Sequence, residues 1–295
     1  MSIITDKFKY WSRTAWEIGV VLGTPDDVLK EDTLDIHIVK HYYKDRWFAD
    51  PFVLDVTEDR IKILVEELFY SNNKGRISLM DVDRATYQLL SLTTVFELDS
   101  HLSFPCILRK DGVTYIYPEN GKAICCKLYQ LDEMLQFKYV STLSNESISD
   151  AVLYEDQGHY YMFATKNPHS NDGPLYVYEA DRFDGEYKPF QSIQSPNRVV
   201  RNAGKFFSIG EAVFRPVQDC THRYGEALVF QRLFHNEDGF SFTNYKKYLP
   251  PKGFDGLHTF NHYKGVCVVD CHHAINPIIS RLLNGFVKRA KRIRK

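Results

Sequence analysis

The chain has 295 residues, of which 44% are hydrophobic and 14% aromatic, and this supports one large domain or two smaller ones. Its formal net charge is −1, but the charge is uneven, because seven basic residues and no acidic ones follow Asp270. The rest of the chain carries 30 basic against 38 acidic residues, a net charge of −8. An acidic body of this kind excludes general nucleic-acid binding by the body.

The cysteines and the N-terminal residues indicate the compartment. The six cysteines show no regular spacing, and the N-terminus, MSIITDKFKYW, has no signal-peptide pattern. No apolar run is long enough to span a bilayer. We therefore expect a cytoplasmic protein with reduced thiols.

In chain order, the first apolar run is WEIGVVL, residues 16–22, which ends at a Gly-Thr-Pro-Asp turn and predicts a strand. Residues 46–56, RWFADPFVLDV, predict another strand, whose apolar part begins after Asp50. Pro51 has no N–H to donate, so it belongs at the first residue of a strand. An unpaired carboxylate at the end of an apolar strand costs several kcal/mol, which predicts a polar site where several strand ends converge.

A repeat begins at this strand. Five units follow one another, each with a strand, a tight polar turn, a second strand and usually a third. Their first strands begin at polar residues spaced by 53, 47, 51 and 57 positions, namely Asp50, Ser103, Asp150, Arg201 and His258. This pattern predicts an all-β, five-bladed β-propeller over residues 1–273, with residues 16–22 supplying the closing strand of the last blade.

Four carboxylates are candidates for catalysis. The first strands contribute Asp50 and Asp150, and polar residues recur 16 positions after a strand start, as Glu66 does after Asp50 and Glu119 after Ser103. Carboxylates grouped around one channel raise one another's pKa, so that some act as general acid and others as base, as glycosyl transfer requires. The alternative is that each one caps a turn or pairs with an arginine.

Substrate-binding candidates come mainly from the fourth unit, RNAGKFFSIGEAVFRPVQDCTHRYGEA. Arginine forks bind phosphate or carboxylate, an exposed tyrosine stacks on a sugar or base, and amide or carboxylate groups bind sugar hydroxyls. The candidates there are Arg201, Arg215, Gln218, Asp219, Arg223 and Tyr224, and those from other units are His101, Lys166 and His258. The alternative for the arginines is an internal network between blades, and a lone histidine is more often structural. Glu211 is expected in a hairpin turn.

No metal or other cofactor is predicted. Cys267, Cys271, His272 and His273 have zinc-binding side chains, but their run is apolar and lacks a second pair of ligands. We therefore expect these four residues to pack in the core.

The last segment, residues 274–295, differs from the repeat. Asn276 and Pro277 predict a helix start, and the apolar residues after them follow helical spacing, with a basic opposite face and end. A helix of this kind suits an anionic membrane surface, and the alternative is that it packs on the propeller. With a cytoplasmic body, this predicts peripheral association with the inner face of the membrane.

Several motifs resemble the N-terminal domain of glucosamine inositolphosphorylceramide transferase and its bacterial relatives. They are WFADPF, HLSFPCILRKDGVTYIYPE, SDAVLYEDQGHYYMF, RNAGKFF, FRPVQDCTHRYGEAL and GLHTFN, and the likeness covers residues 47–273. That family resembles the five-bladed propellers of arabinanase- and xylosidase-type glycoside hydrolases. The resemblance implies that Asp50 matches their base and Asp150 a second, tuning aspartate, while their general-acid glutamate has no counterpart at Glu211.

With the cytoplasmic body and the basic tail, the resemblance implies a glycosyltransferase of surface polysaccharide synthesis. It would use a nucleotide-sugar donor and a lipid-linked or glycan acceptor, with Asp50 or Asp150 as the base and arginines of the fourth unit holding the donor diphosphate. The alternatives are a glycoside hydrolase or phosphorylase, and a non-catalytic glycan-binding propeller.

Overall fold

The computed structural model describes residues 13–121, 123–195 and 197–276. In this part of the chain the strands form five antiparallel sheets of four or five strands each. The fold is therefore a five-bladed β-propeller, as the repeat predicted. Each sheet is one blade, and its first strand lies innermost, next to the axis.

The blades follow the chain. The first elements are β1 (Thr14–Leu22), α1 (Pro25–Lys30) and β2 (His37–Ile38). Blade 1 contains β3 (Arg46–Val56), β4 (Arg60–Phe69), β5 (Gly75–Asp83) and β6 (Leu89–Phe96). Blade 2 contains β7 (Leu102–Lys110), β8 (Val113–Asn120), β9 (Cys126–Leu131) and β10 (Phe137–Ser144). Blade 3 contains β11 (Ile148–Asp156), β12 (His159–Lys166), β13 (Leu175–Ala180) and β14 (Lys188–Ile193).

The last two blades depart from this simple order. Blade 4 contains β15 (Val199–Asn202), β16 (Phe207–Ile209), β17 (Ala212–Asp219), β18 (Ala227–Asn236) and β19 (Gly239–Tyr248), and both β15 and β16 pair with β17. Blade 5 contains β20 (Gly256–Tyr263) and β21 (Val266–Ala274), followed in the sheet by β1 and β2. The N-terminal strand β1 pairs with β21 from Thr14 opposite Ala274 to Leu22 opposite Val266, so it joins the two ends of the ring.

The core lies between neighbouring blades. Buried apolar clusters join blades 1, 2 and 3, blades 3 and 4, blades 4 and 5, and blades 5 and 1. Phe52 of β3 and Phe104 of β7, for example, meet edge to face with their ring centroids 5.0 Å apart. Because each blade buries both faces, the ring depends on every blade and on its closure by β1.

Every inner strand carries an irregularity at the same height. The ladder to the second strand shifts after Ala49, Ser103, Ser149, Val199 and Leu257. At the first residue after the shift, Asp50, Phe104 and Asp150 have left-handed φ angles of 49°, 44° and 48°. Such bulges re-aim side chains and backbone N–H groups, and aspartate tolerates this conformation better than most residues.

The bulges correct the register predicted from spacing. Blade 2 places Phe104, and not Ser103, at the position equivalent to Asp50. Glu66 pairs with Ala49 rather than Asp50, and Lys166 pairs with Ile148 rather than Asp150. Ala49 pairs with Glu66, 17 positions on, whereas Ser103 pairs with Glu119, 16 positions on. A second register shift in blade 1, between Val53 and Asp55, contributes to this difference.

The C-terminal helix predicted over 274–295 lies almost entirely outside the described residues. Ala274 is the last residue of β21, and residues 277–295 lie outside the described residues. Among the helices of the described chain, none has the length and apolar content required to cross a bilayer.

Candidate active site

The four predicted carboxylates lie close together near the axis of the propeller. Asp50 and Asp150 come from the inner-strand bulges of blades 1 and 3, and Glu66 and Glu119 come from the second strands of blades 1 and 2. Asp50, Glu66 and Asp150 are 6%, 5% and 1% exposed, so these charges are almost completely removed from water. The bulges thus produce the convergence that the sequence predicted.

Asp50 ties three blades together. Its Oδ2 accepts the backbone N–H of Phe104 in blade 2 at 3.0 Å, and its Oδ1 accepts the hydroxyl of Thr259 in blade 5 at 3.0 Å. Its own backbone N–H donates to Oδ2 of Asp270 at 2.8 Å. Burial raises the pKa of Asp50 to about 7, although His258 opposes the shift, and the charges of Glu66 and Asp150 add to it. Asp50 is therefore a carboxyl group that titrates near neutral pH.

Asp270 was missed in the sequence. It is fully buried, and its Oδ1 accepts His258 Nδ1 at 2.7 Å and the Thr259 N–H at 2.9 Å. Burial raises its pKa, but His258 and the backbone donors outweigh that effect and hold the pKa below its usual range. The sequence does contain a signal for Asp270, since it is a single acid inside the apolar run VCVVDC and a buried acid needs a partner.

His258 lies between Asp270 and Asp50. Its Nε2 is 3.6 Å from Oδ1 of Asp50, and its ring stacks on Trp16 with a centroid distance of 3.9 Å. Burial lowers the pKa of His258, but the charges of Asp270 and Asp50 outweigh burial and raise it. The residue thus favours the imidazolium form beside Asp50.

Asp50, His258 and Asp270 also test the expectation that no metal is bound. One potential ligand atom from each lies within 4.8 Å of the others. However, both oxygens of Asp270 accept N–H groups, two of them from the backbone of Asp50 and Thr259. Oδ1 of Asp270 accepts the His258 and Thr259 donors and Oδ2 accepts the Asp50 N–H, so the three side chains form a hydrogen-bonded triad, and the absence of a metal stays a prediction.

Asp150 is held by an arginine fork. Arg201 donates from Nε to Oδ2 of Asp150 at 2.5 Å and from Nη2 to Oδ1 at 3.2 Å, and Gln218 donates to the same Oδ2 at 2.9 Å. Asn202 donates to the Asp150 carbonyl at 2.7 Å. Both carboxylate oxygens are thus occupied, which matches the alternative that this aspartate pairs with an arginine.

Glu119 differs from Asp150 although the two are neighbours. Its Oε2 accepts the Asp150 N–H at 3.0 Å and its Oε1 accepts the Ser149 hydroxyl at 3.2 Å. Burial raises the pKa of Glu119 to about 8, against the attraction of Arg201. Glu119 therefore keeps its proton at neutral pH.

Glu66 lies next to His101. His101 Nε2 is 3.1 Å from Oε1 of Glu66, and this contact raises the pKa of His101. His101 Nδ1 accepts the N–H of Gly75 at 3.0 Å. A Cβ on Gly75 would lie 2.4 Å from the Leu102 carbonyl oxygen, so only glycine permits this close approach.

Tyr224 lies at the rim of the site. The residue is 43% exposed, and its ring meets His258 edge to face at 5.3 Å and lies 5.4 Å from the Arg201 guanidinium carbon. The next residue, Gly225, has a φ of +60°, and a Cβ there would lie 2.8 Å from the Cβ of His258. The Tyr-Gly pair thus brings an exposed aromatic face close to the carboxylates.

The other predicted residues lie elsewhere. Asp219 pairs with Lys247 at 2.7 Å, Arg223 contacts Asp255 at 3.4 Å on the surface, and Lys166 pairs with Glu146. Arg215 is buried between blades, and Glu211 is exposed between β16 and β17. The alternation of strand β17 explains why Arg215 and Asp219 lie elsewhere. Neighbouring residues of a strand face opposite sides, and of this strand only Gln218 reaches Asp150.

The cysteines and histidines of β21 do not form a common site. Cys267 and Cys271 are fully buried in the core. His272 contacts Asp255 at 2.5 Å, and His273 contacts Glu17 at 3.4 Å. The expected core packing is thus confirmed for the two cysteines and wrong for the two histidines, which are partly exposed and pair with acidic side chains.

The fold defines the class of protein. An exo-β-1,3-galactanase from Phanerochaete chrysosporium matches with a TM-score of 0.58 at 11% identity, covering 71% of this chain and 53% of that one. The RS223 β-xylosidase matches with a TM-score of 0.52 at 16% identity, covering 73% and 81%. The chain therefore shares its five-bladed propeller fold with these two proteins.

The sequence defines the family. The profile of the family described as glucosamine inositolphosphorylceramide transferase 1, N-terminal, matches residues 36–247, so the chain belongs to this family. Glucosamine inositolphosphorylceramide transferase 1 of Oryza sativa subsp. japonica is 26% identical over 203 residues, which are 65% of this chain and 27% of that protein. The Arabidopsis thaliana protein is 25% identical over 199 residues, 63% and 25%. The resemblance stated from the motifs is confirmed, and the chain spans about a quarter of these relatives.

The raised pKa values predict a pH dependence of stability. In the folded chain, Asp50 and Glu119 keep their protons up to about pH 7 and about pH 8, respectively. In the unfolded chain, carboxyl groups lose their protons at about pH 4. A pKa that is raised on folding gives stability that is complete below the unfolded pKa and is lost as the pH rises through the folded one. The free energy of unfolding should therefore fall from about pH 4 to about pH 8 on account of these groups.

Glu119→Gln should flatten this slope by up to about 1.4 kcal/mol per pH unit, measured by urea unfolding at several pH values. Glu155→Gln is the control, because Glu155 lies on the surface paired with Lys110. Equal slopes in the two variants would contradict the buried, protonated Glu119.

Proposed function

We propose that the chain is a glycosyltransferase that transfers a sugar from a nucleotide-sugar donor to a hydroxyl of a lipid-linked or glycan acceptor. Membership of a family named for a transferase supports this reaction class. The observation that carries the proposal is Asp50, a buried carboxyl group with a pKa of about 7 at the end of the channel. A base with a pKa near the working pH is the most effective one. Surface polysaccharide synthesis is the proposed setting.

Asp50 is the base in this proposal, and Asp150 is a positioning residue. Both oxygens of Asp150 are engaged by Arg201, so a proton taken up there would disrupt a bidentate ion pair. Asp50 instead accepts one hydroxyl and one backbone N–H, and the Thr259 hydroxyl can rotate away. Because its fork faces Asp150, Arg201 does not hold the donor diphosphate here.

The reaction then proceeds in one displacement at the anomeric carbon. Asp50 takes the proton of the acceptor hydroxyl while the hydroxyl oxygen forms the new bond to that carbon. The bond from the carbon to the diphosphate oxygen breaks, and its electron pair leaves with the nucleoside diphosphate. His258, which Asp270 holds in place, stabilises the Asp50 carboxylate before the transfer. Tyr224 offers a ring at the rim on which a sugar can stack.

A glycoside hydrolase is the second candidate, because Glu119 keeps its proton at neutral pH as a general acid does. This reading predicts release of free sugar without any nucleotide sugar. A non-catalytic glycan-binding propeller is the third, since the match covers only 27% of the Oryza sativa subsp. japonica relative. It predicts sugar binding without turnover of any donor.

Asp50→Asn should lower the rate of sugar transfer by about 10²- to 10⁴-fold, the usual contribution of a general base. The assay is a panel of nucleotide sugars, chosen first by thermal shift and then followed for nucleoside diphosphate release. Asp55→Asn is the control on the same strand, because Asp55 pairs with Lys264 at the exposed end of β3. Transfer at the wild-type rate by Asp50→Asn would remove Asp50 from the mechanism.

Membrane association is also part of the proposal. Residues 276–295 contain all seven basic residues that follow Asp270, and no acidic residue accompanies them. Near an anionic surface each Lys or Arg contributes about 1 kcal/mol, and lipid-linked acceptors are found at such surfaces. The segment would then hold the channel near the membrane at the cytoplasmic face.

Changing Lys288, Arg289, Lys291 and Arg292 together to Gln should weaken binding to anionic vesicles by about 10²- to 10³-fold. Binding is measured by co-sedimentation at low and physiological salt. The control carries the same number of Gln substitutions on the propeller, at Lys138, Arg182, Lys188 and Lys252. If this control loses as much binding as the tail variant, the membrane role of the tail is wrong.

A further inference from the structure

A second cavity lies between blades 3 and 4, away from the carboxylates. Its volume is about 370 Å³, within the range of small-molecule sites. One wall comes from the ends of β13 and β14, and the other comes from β15, β17, β18 and β19. Its polar lining consists of Gln194, Ser195, Asn197, Arg215, Gln231, Thr243 and Asn244.

Arg215 is the charged group of this cavity. It is 1% exposed, and its hydrogen bonds run to neutral oxygens only. Nε donates to Asn202 Oδ1 at 2.8 Å, Nη1 donates to Gln231 Oε1 at 3.0 Å, and Nη2 donates to the Val200 carbonyl. A guanidinium has five N–H groups, so these bonds leave two of them for another acceptor.

No carboxylate of residues 13–121, 123–195 or 197–276 forms an ion pair with Arg215. Three other arginines have carboxylate partners, because Arg201 pairs with Asp150 and both Arg46 and Arg76 pair with Glu67. The part-buried Arg109, in contrast, donates to the backbone carbonyls of Val53 and Leu54. Burial without a counter-charge lowers the pKa of Arg215 to about 9. A buried cation in this state is destabilising by several kcal/mol, which an anion in the adjoining cavity would offset.

We propose that this cavity is a binding site for a phosphate group, with the Arg215 fork as its main ligand. Guanidinium groups bind phosphate oxygens in bidentate fashion. The hydroxyl and amide groups of Ser195, Asn197, Thr243 and Asn244 line the same space and suit the remaining oxygens of a tetrahedral anion. The phosphate can be free or part of a small phosphate ester.

The surroundings favour an anion that arrives from solvent. A groove that shares Asn197, Val199 and Asn244 with the cavity also contains Lys246 and Lys247. Lys247 pairs with Asp219 there, and Lys246 is hydrogen-bonded to the Leu29 carbonyl. The groove thus contains two lysines and one aspartate, and the ion pair of Lys246 is the long one, 3.9 Å from the exposed Asp32.

The site is linked to the channel by one residue. Asn202 accepts the Arg215 Nε–H through Oδ1 and donates through Nδ2 to the Asp150 carbonyl at 2.7 Å. Asn202 thus connects the cavity to Asp150. The proposal does not depend on glycosyl transfer, because it concerns a separate cavity and its own charged group.

The test is thermal unfolding of the full chain with inorganic phosphate or a sugar phosphate, against sodium chloride at equal ionic strength. A ligand that binds only the folded state raises the unfolding temperature in proportion to ln(1 + [L]/Kd), by about 5 °C or more at 100 times Kd. A shift with inorganic phosphate assigns the site to phosphate itself. A shift with the sugar phosphate alone assigns it to a phosphate ester, and both outcomes support the proposal.

Gln231→Glu supplies the matched variant. It places a carboxylate where Gln231 Oε1 already accepts from Arg215 at 3.0 Å. The variant should unfold at a higher temperature without ligand and should lose the phosphate shift, whereas the neutral Gln231→Met should keep it. Equal phosphate shifts in wild type and Gln231→Glu would overturn the proposal. Phosphorus NMR of each ligand in the presence of the wild type needs no variant. If the signal of neither ligand broadens at millimolar concentration, the proposal is overturned too.

Discussion

The structure depends on the way carboxylates accept the backbone N–H groups of the inner-strand bulges. A left-handed residue at the bulge turns its N–H away from the ladder, where it needs another acceptor. Asp270 accepts the N–H of Asp50, Asp50 accepts that of Phe104, and Glu119 accepts that of Asp150. Each bond runs from one blade to the next, so the same carboxylates join the blades and form the candidate site.

This arrangement sets the electrostatics of the site. Two cations, Arg201 and His258, lie among the carboxyl groups of the site. These carboxyl groups belong to Asp50, Asp150, Glu66, Glu119 and Asp270. Arg201 neutralises Asp150, and His258 neutralises Asp270. Asp50 and Glu119 keep too little positive charge around them to offset burial, and their pKa values rise to about 7 and about 8. The raised pKa values of Asp50 and Glu119 thus follow from where the cations lie.

Much of the fold was predictable because a propeller repeats in the sequence. The strand–turn–strand units gave the number of blades, and the apolar run at 16–22 had no other partner than the open last blade. The rule that polar residues at strand ends converge found Asp50, Asp150, Glu66 and Glu119. It missed Asp270, because that residue lies inside an apolar strand and is recognisable only through the bulge that it serves.

Other site residues were misplaced for a physical reason. Arg215, Asp219 and Arg223 are close in sequence to Gln218 and Tyr224, but a strand alternates its faces and the following loop turns outward. Sequence proximity therefore did not mean proximity in the site. For the same reason, the sequence did not show that Arg215 lies beside a separate cavity.

The most direct test of the central claim is a carbon NMR titration of the aspartate carboxyl groups, with the Asp50 signal assigned by its loss in Asp50→Asn. The carboxyl carbon of Asp50 should titrate with a midpoint near pH 7, as burial among other carboxylates requires. A midpoint near the ordinary aspartate value of about 4 would contradict both the electrostatics and the assignment of Asp50 as the base.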